Sequence, residues 1–233
     1  MKILAIETAT EACSAALLSG DKIISRFQLA PREHTKLILP MMDEVLEEAG
    51  IDVNELDAVA FSQGPGAFTG LRIAAGVAQG VALSVNKPVI PVSTLAAIAL
   101  QALLLESSAE VIISALDARM GEVYWAVYKV KDATVELVDK ENVSKPEDML
   151  QAINIYHTKS VILAGIGWDA YQESLFQQDK MPENCHYIKQ QYPKAEHVVT
   201  LAKQLFIDAQ TVTAENAQPV YIRNKVAEKS VKI

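Results

Sequence analysis

The most constraining feature of this sequence is a glycine-rich stretch, residues 62–72, that joins two apolar runs. The run before it, residues 58–61, is short and β-prone, whereas the run after it, residues 73–85, is long, rich in alanine and compatible with a helix. Three glycines and a proline in the stretch itself indicate a tight loop. The pattern therefore predicts a strand, a loop and a helix in succession.

Such a loop has a possible chemical use. Glycines let backbone N–H groups approach a ligand closely, and a helix that begins directly afterwards offers unpaired N–H groups to an anion. The candidate residues for a phosphate or carboxylate site are Gly64, Gly66, Thr69, Gly70 and Arg72. A rigid turn between two buried elements would use the same glycines, and their spacing is neither the dinucleotide fingerprint nor a Walker loop. Spacing alone leaves both interpretations open.

Composition bounds the class of protein. The chain has 233 residues, of which 50% are hydrophobic, so it can bury a sizeable core. Its net charge of -8 argues against a surface that holds nucleic acid unaided, because phosphates are bound mainly by clustered Lys and Arg. Cys13 and Cys185 have neither disulfide-framework nor metal-site spacing, and the apolar run that ends at Glu7 is too short for a signal peptide. We expect a cytoplasmic protein.

Residues 88–105 carry no charge and approach the length of a membrane span. Pro88 and Pro91 flank a strand-like pair, however, and Ser93 is a good N-cap for the apolar helix that follows. We therefore predict two short buried elements here and no membrane segment.

The order of predicted elements repeats once along the chain. Three β-prone runs, at residues 2–8, 11–18 and 22–29, precede alternating helices and strands in the first half. The second half repeats this order from residue 111, with a helix predicted to begin at the capping box of residues 144–147. The repeat predicts an α/β protein of two lobes, residues 1–106 and 107–210, with the tail 211–233 packing back on the first lobe.

Five groups of short motifs stand out along the chain. They are ILAIETAT at 3–10, EHT at 33–35 with ILP at 38–40, GPGAFTGLR at 64–72, DAR at 117–119 with GEVY at 121–124, and PVYIR at 219–223. Together these motifs resemble the TsaB (YeaZ) family of bacterial tRNA threonylcarbamoyladenosine biosynthesis proteins. The resemblance covers most of the chain and weakens between about residues 134 and 217.

The resemblance implies two tandem RNase H-like or actin-like lobes, each with a mixed five-stranded sheet and flanking helices, as in the sugar kinase, Hsp70 and actin superfamily. It also implies a non-catalytic subunit of tRNA threonylcarbamoyladenosine (t6A) modification. Such a subunit heterodimerises with a catalytic TsaD-type paralogue, works with a TsaE-type ATPase and reaches tRNA only through the complex. No cofactor is expected on the chain alone, and ATP is possible in the complex.

Two pairs of polar residues are further candidates for the anion site. Glu7 and Thr8 stand where superfamily kinases carry an acid and a hydroxyl near a metal-bound phosphate, although a polar group that caps the strand turn is the favoured interpretation. Asp117 and Arg119 are expected either to orient a ligand at the cleft between the lobes or to form an ordinary hairpin.

The metal chemistry of the paralogue is absent from this sequence. The TsaD family places two metal-binding histidines four residues apart on a helix, and those positions fall here on Thr94 and Ile98. Isoleucine has no donor atom, and no two of the four histidines of this chain have metal-ligand spacing. We predict no metal site and no catalytic residue. A small-molecule kinase of the same fold and a metallopeptidase are the alternatives, and the missing ligands disfavour the second.

The helix predicted over residues 35–49 carries a wide apolar stripe. Part of this stripe is predicted to stay exposed and to serve both the paralogue and, in the isolated chain, a homodimer, with packing in the core as the alternative. The predicted interface residues are His34, Leu37, Ile38, Met41, Met42, Val45 and Leu46. The basic tail, residues 221–233, is a further candidate for contact with tRNA or an acidic partner, or else a solvated end.

Overall fold

The computed structural model describes residues 1–176 and 181–223 and contains two β-sheets. The first has the order β3-β2-β1-β4-β5, with the first three strands antiparallel and β1, β4 and β5 parallel. Its strands are β1 (Lys2–Glu7), β2 (Ala12–Ser19), β3 (Lys22–Leu29), β4 (Ala58–Gly64) and β5 (Val89–Ser93). The residues of β1 from Ile3 onward are all buried, as their continuous apolar run predicts for a strand covered on both faces.

Two helices cover one face of the first sheet. They are α1 (His34–Ala49) and α2 (Phe68–Val85), and they share a core cluster with the sheet. Gly50 and Asn86, which follow them, both adopt the left-handed conformation that ends a helix. The predicted succession of strand, glycine loop and helix is therefore present, since β4 runs into α2 through residues 65–67.

The second sheet has six strands rather than the five predicted. Its order is β11-β10-β6-β7-β8, and the short strand β9 pairs separately with β7. The strands are β6 (Val111–Arg119), β7 (Glu122–Lys131), β8 (Thr134–Leu137), β9 (Asn142–Ser144), β10 (Val161–Ala164) and β11 (Cys185–Ile188). The helices α4 (Glu147–Ile155) and α5 (Ile166–Leu175) cover one face of this sheet.

The predicted capping box at residues 144–147 is wrong. Ser144 belongs to β9, where it pairs with Val123, and its hydroxyl accepts a hydrogen bond from the Trp125 indole at 2.9 Å. The N-cap of α4 is instead Pro146, without a side-chain hydrogen bond. A residue held in a strand cannot also fold back over the first turn of a helix.

The remaining two helices lie between the sheets. The helix α3 (Thr94–Leu105) is buried around most of its circumference and packs mainly on the second sheet, with Ala97 on the first. The helix α6 (Ala195–Ile207) packs on the first sheet through Val198 and Ala202. Although α6 follows the second sheet along the chain, it packs on the first sheet.

After α6 the chain runs along the first lobe. The backbones of Val89 and Val212 exchange hydrogen bonds of 2.9 and 2.8 Å, Ala217 is buried in the core beneath α1 and α2, and the Val220 N–H donates to the Gln63 carbonyl at 2.7 Å. The basic residues predicted for tRNA contact beyond Arg223, namely Lys225, Lys229 and Lys232, lie outside the described residues.

One helix in the described part of the chain, α2, is long and apolar enough to cross a membrane by length and composition. Its buried residues, which include Leu71, Ala74 and Ala78, pack against the first sheet instead. The uncharged run at residues 88–105 divides into β5 and α3, as its prolines and Ser93 predict.

Candidate functional site

The carboxyl ends of the parallel strands of both sheets meet at a cleft of about 700 Å³ between the lobes. Ligands of open α/β sheets bind at this edge, where the loops that follow the strands converge. The segments that line the cleft are the β1–β2 turn, the glycine loop, the β6–β7 hairpin, α5, the segment after β11 and the tail. The lining residues include Thr10, Glu11, Gly66, Phe68, Asp117, Arg119, Tyr124, Asp169, Tyr192, Tyr221 and Arg223.

The glycines of the loop are required for packing within the chain. A Cβ atom on Gly70 would lie 1.9 Å from the Thr8 carbonyl oxygen, and one on Gly66 would lie 2.5 Å from the Ala9 carbonyl oxygen. The start of α2 is thus pressed against the β1–β2 turn. Two hydrogen bonds fix this contact, from the Ala67 N–H to the Ala9 carbonyl at 2.7 Å and from the Thr8 hydroxyl to the Gly70 carbonyl at 2.8 Å.

Gly64 has a different reason to be glycine. Its φ is +125°, a conformation that side chains rarely adopt, and a Cβ atom there would lie 2.7 Å from the Val220 carbonyl oxygen. The loop therefore joins three segments, which are the β1–β2 turn, the start of α2 and the tail. Of the two interpretations open from sequence, the structure supplies direct contacts for the rigid turn.

Glu7 is fully buried behind the same turn. Its carboxylate accepts hydrogen bonds from the Ala9 backbone N–H and the Ser62 hydroxyl. Burial raises its pKa from 4.5 to about 7, and the two hydrogen bonds act in the opposite direction. The hydrogen bonds of Glu7 and Thr8 thus stabilise the β1–β2 turn from its buried side. This arrangement agrees with the interpretation favoured from sequence, in which a polar group caps the turn.

Asp117 and Arg119 lie together at the β6–β7 hairpin and line the cleft. The Asp117 carboxylate accepts from the Arg119 backbone N–H at 2.9 Å, an arrangement typical of a turn, and Arg119 has a φ of 63°. The Arg119 guanidinium also reaches the other lobe, where it pairs with Glu11 at 3.0 Å. The two residues therefore form the turn of a hairpin at the wall of the cleft, and their role in orienting a ligand stays a prediction.

Sequence reasoning missed the aromatic side of the cleft. The Arg72 guanidinium lies 3.8 Å from the centre of the Phe68 ring, and its Nε donates to the Tyr221 hydroxyl at 3.2 Å. The Phe68 and Tyr221 ring centres are 5.3 Å apart. Arg223 bridges the tail to the second lobe by donating to the Arg119 carbonyl at 3.3 Å and to Glu122. The PVYIR motif was the available clue, but its position in space could not be read from the sequence.

Most of the predicted interface residues on α1 are unavailable to a partner. Ile38, Met41, Met42 and Val45 are buried in the core beneath α1 and α2, and the His34 imidazole contacts the backbone carbonyls of Thr10 and Ala12. Leu37 and Leu46 are only partly buried. The wide apolar stripe is explained by core packing, because α1 buries side chains against both the first sheet and α2.

The Gly165–Gly167 turn, where β10 runs into α5, is also a close-packed junction. Gly165 has a φ of +102°, and a Cβ atom on it would lie 2.1 Å from the Ala115 carbonyl oxygen. Ile166, between the two glycines, lines the cleft.

Thr94 and Ile98, the positions on which the sequence resemblance places two histidines of the TsaD family, are fully buried near the start of α3. Within residues 1–176 and 181–223, no three His, Cys, Asp or Glu side chains are grouped so that they could hold a metal ion.

Two sheets with a cleft at the carboxyl ends of their parallel strands define a two-lobed α/β protein of the actin-like fold. The family model that matches the chain, over residues 21–231, is TsaD, described as tRNA N6-adenosine threonylcarbamoyltransferase. The chain is 40% identical over 232 residues to the tRNA threonylcarbamoyladenosine biosynthesis protein TsaB of Escherichia coli (strain K12), covering 99% of this chain and 98% of that protein.

The TsaB protein of Haemophilus influenzae is 38% identical over 239 residues, covering 99% of this chain and 97% of the relative. The solved structure of YeaZ from Pseudomonas aeruginosa superposes with a TM-score of 0.85 at 40% identity and covers 94% of this chain and 99% of that one. The chain belongs to the TsaB (YeaZ) family of tRNA threonylcarbamoyladenosine biosynthesis proteins. This confirms the family and the fold predicted from the motifs.

Proposed function

We propose that this chain is a non-catalytic subunit required for t6A modification of tRNA. In this proposal it heterodimerises with a catalytic TsaD-type paralogue in the cytoplasm, works with a TsaE-type ATPase and reaches tRNA through the complex. The observation that carries the proposal is that Thr94 and Ile98, on which the family resemblance places the paralogue's two histidines, are fully buried and offer no pair of metal donors. The chain matches the transferase family model along most of its length but offers no donor pair at this point.

Three features of the cleft weigh against a nucleotide site formed by this chain alone. Glu7, the acid expected near a metal-bound phosphate, has both oxygens engaged inside the protein. The glycine loop is packed against the β1–β2 turn, and Arg119 is already paired with Glu11 and Asp117. We therefore propose that the chain binds no cofactor alone, and that any ATP in the complex depends on residues from the partners.

The outer face of α1, together with the outer face of α2 from Gly76 onward, is the surface we propose for the paralogue and for a homodimer of the isolated chain. Leu39 on α1 and Leu83 on α2 are 52% and 57% exposed. Gly76 and Gly80, one turn apart on α2, are exposed and have open space where a Cβ atom would lie. Because nothing inside the monomer requires these glycines, a closely approaching helix of a partner would account for them.

The test is a reconstitution of the modification reaction with each component omitted in turn. Its two readouts are t6A in the tRNA and phosphate released from ATP. We expect no modification and no ATP hydrolysis by this chain alone, and loss of modification when it is left out. Full modification without the chain would refute the partner role. Turnover of ATP and a small acceptor by the chain alone would support the kinase alternative, and chelator-sensitive peptide cleavage would support the peptidase.

A further inference from the structure

Three side chains form an exposed cluster at the mouth of the cleft, here named the Phe68–Arg72–Tyr221 cluster. Phe68 and Tyr221 are each 42% exposed, and their ring centres are 5.3 Å apart. The Arg72 guanidinium is held over the Phe68 ring at 3.8 Å and is hydrogen-bonded through Nε to the Tyr221 hydroxyl. The three side chains thus fix one another without being covered by the rest of the protein.

Within residues 1–176 and 181–223, no carboxylate neutralises the charge of Arg72. The other two arginines at the cleft mouth are paired, Arg119 with Glu11 and Asp117, and Arg223 with Glu122. Among the described residues Arg72 makes no ion pair, although the chain as a whole carries a net charge of -8. A guanidinium already oriented by a ring and a hydroxyl loses little side-chain entropy when an anion binds to it.

We propose that the Phe68–Arg72–Tyr221 cluster contacts the tRNA directly in the complex. The rings take an unpaired base by stacking, and Arg72 binds the adjacent phosphate. Exposed aromatic side chains stack on unpaired bases, and arginine matches the geometry of phosphate oxygens. The inference rests on the proposed function and goes beyond it, since that proposal gives this chain only indirect access to tRNA.

The overall acidity of the chain limits the contact to one or two nucleotides. A long basic track, which dominates most protein–RNA affinity, is not available on a chain with this charge. A single stacked base and one phosphate need only the cluster itself. In the complex, the additional affinity for RNA would come from the paralogue.

The experiment measures binding of fluorescent, unmodified tRNA to the heterodimer at several salt concentrations. Arg72→Gln should reduce the slope of log affinity against log salt by about 0.7, the value for one phosphate contact on a single strand. Tyr221→Ala and Phe68→Ala should each weaken binding roughly 5- to 150-fold with little change in slope. Tyr221→Phe, which keeps the ring, should retain most of the affinity.

A matched control exists on the far side of the first sheet. Phe27 on β3 is also 42% exposed, and the Lys194 ammonium lies 5.3 Å from its ring centre. The Phe27→Ala, Lys194→Gln double variant removes a comparable cation–aromatic pair and should leave tRNA binding unchanged. Thermal unfolding of each variant checks that the exposed substitutions preserve the fold.

The outcomes separate the inference from the function on which it rests. Unchanged tRNA affinity and salt slope in the three cluster variants, with the heterodimer intact by size-exclusion chromatography, would overturn it. Loss of the heterodimer in the same variants would assign the cluster to the protein interface and would overturn it as well. If the wild-type chain fails to assemble with the paralogue, the proposed function is refuted. The wild-type protein alone gives that result, so it is distinct from any effect of the cluster variants.

Discussion

Glu7 carries a carboxyl group into the fully buried interior, and its titration should be visible in the stability of the protein. Its folded pKa is raised from 4.5 to about 7, chiefly by burial. The folded state therefore binds more protons than the unfolded state between these two pH values, so this group makes the protein less stable as pH rises through that window. The full effect is about 3 kcal/mol, at about 1.4 kcal/mol per pH unit.

Replacing Glu7 with Gln should remove this dependence. The amide can still accept from the Ala9 N–H and donate to the Ser62 hydroxyl, which is able to accept. We expect the variant to match wild type near pH 4 and to be more stable by about 3 kcal/mol above pH 7. Urea denaturation at a series of pH values measures the difference.

The comparison is made between Glu7→Gln and wild type because other groups titrate in the same range. His197, whose pKa burial lowers from 6.5 to about 4, contributes the opposite trend, losing stability as pH falls through that window. Its contribution is common to both proteins and cancels. A pH-independent difference between the two would contradict the prediction.

The glycine loop offers a second prediction at single positions. Gly70→Ala should destabilise the protein by about 3 kcal/mol, because the added methyl group would overlap the backbone of the β1–β2 turn. That turn cannot move away without breaking its hydrogen bonds to the start of α2. Gly76→Ala on the same helix should instead stabilise it by about 0.5–1 kcal/mol, since its site is open and alanine is the better helix former. Thermal unfolding distinguishes the two. Tolerance of Gly70→Ala would mean that the loop has room for a side chain, and hence that its glycine is not required by packing.

At the scale of elements, α1 provides a test that separates core from surface on one helix. Met42 is 4% exposed and Leu39 is 52% exposed. Met42→Glu should cost at least about 3 kcal/mol of folding free energy, because a carboxyl group would enter a closed apolar core. Leu39→Glu should change stability by less than about 0.5 kcal/mol and should weaken association with the paralogue and with a second copy.

Sizing of both α1 variants, alone and with the paralogue, supplies the second readout. A Leu39→Glu protein that folds normally and still forms both assemblies would remove α1 from the proposed interface. Substitution of Leu46, which is only partly buried, would affect folding and association together.

Most elements could be predicted because each carries its own pattern. The strand–glycine–helix succession and the caps Gly50 and Ser93 are local features that chain neighbours determine. The strand β9 was missed because three residues are too short to show a period of two. The burial of Met41 and Met42 depends on how α1 packs against the first sheet and α2, which no local pattern records.

The candidate site could be predicted only in part. The glycine loop, Glu7, Asp117 and Arg119 were found because turn-forming and charged residues stand out in sequence, and the structure brings them to one edge of the two sheets. The contacts made by Tyr221 and Arg223 were not predictable, because they depend on the path of the tail across both lobes. Contacts between residues more than 100 positions apart produce no recognisable pattern in the sequence around either residue.

The whole molecule is held together by helices that lie between its two sheets. The helix α3 carries a core cluster of the second sheet although it follows the first in sequence, and α6 covers the first sheet although it follows the second. Each lobe thus lacks a complete core without an element contributed from the other half of the chain. We expect the two lobes to unfold together, since neither can keep its apolar face covered alone.

Two spectroscopic probes can test whether the lobes unfold together. Both tryptophans of the chain, Trp125 and Trp168, belong to the second lobe, so their fluorescence reports on that lobe. Far-UV circular dichroism reports on the whole chain. The two urea transitions should coincide in wild type. Ala202→Asp, on the face of α6 buried against the first sheet, should lower the midpoint reported by tryptophan as much as that reported by circular dichroism. Ile207→Asp, on the same helix but 58% exposed, should leave both unchanged. A tryptophan midpoint that stays at the wild-type value in Ala202→Asp, while circular dichroism reports an earlier loss of structure, would show that the second lobe folds independently of α6.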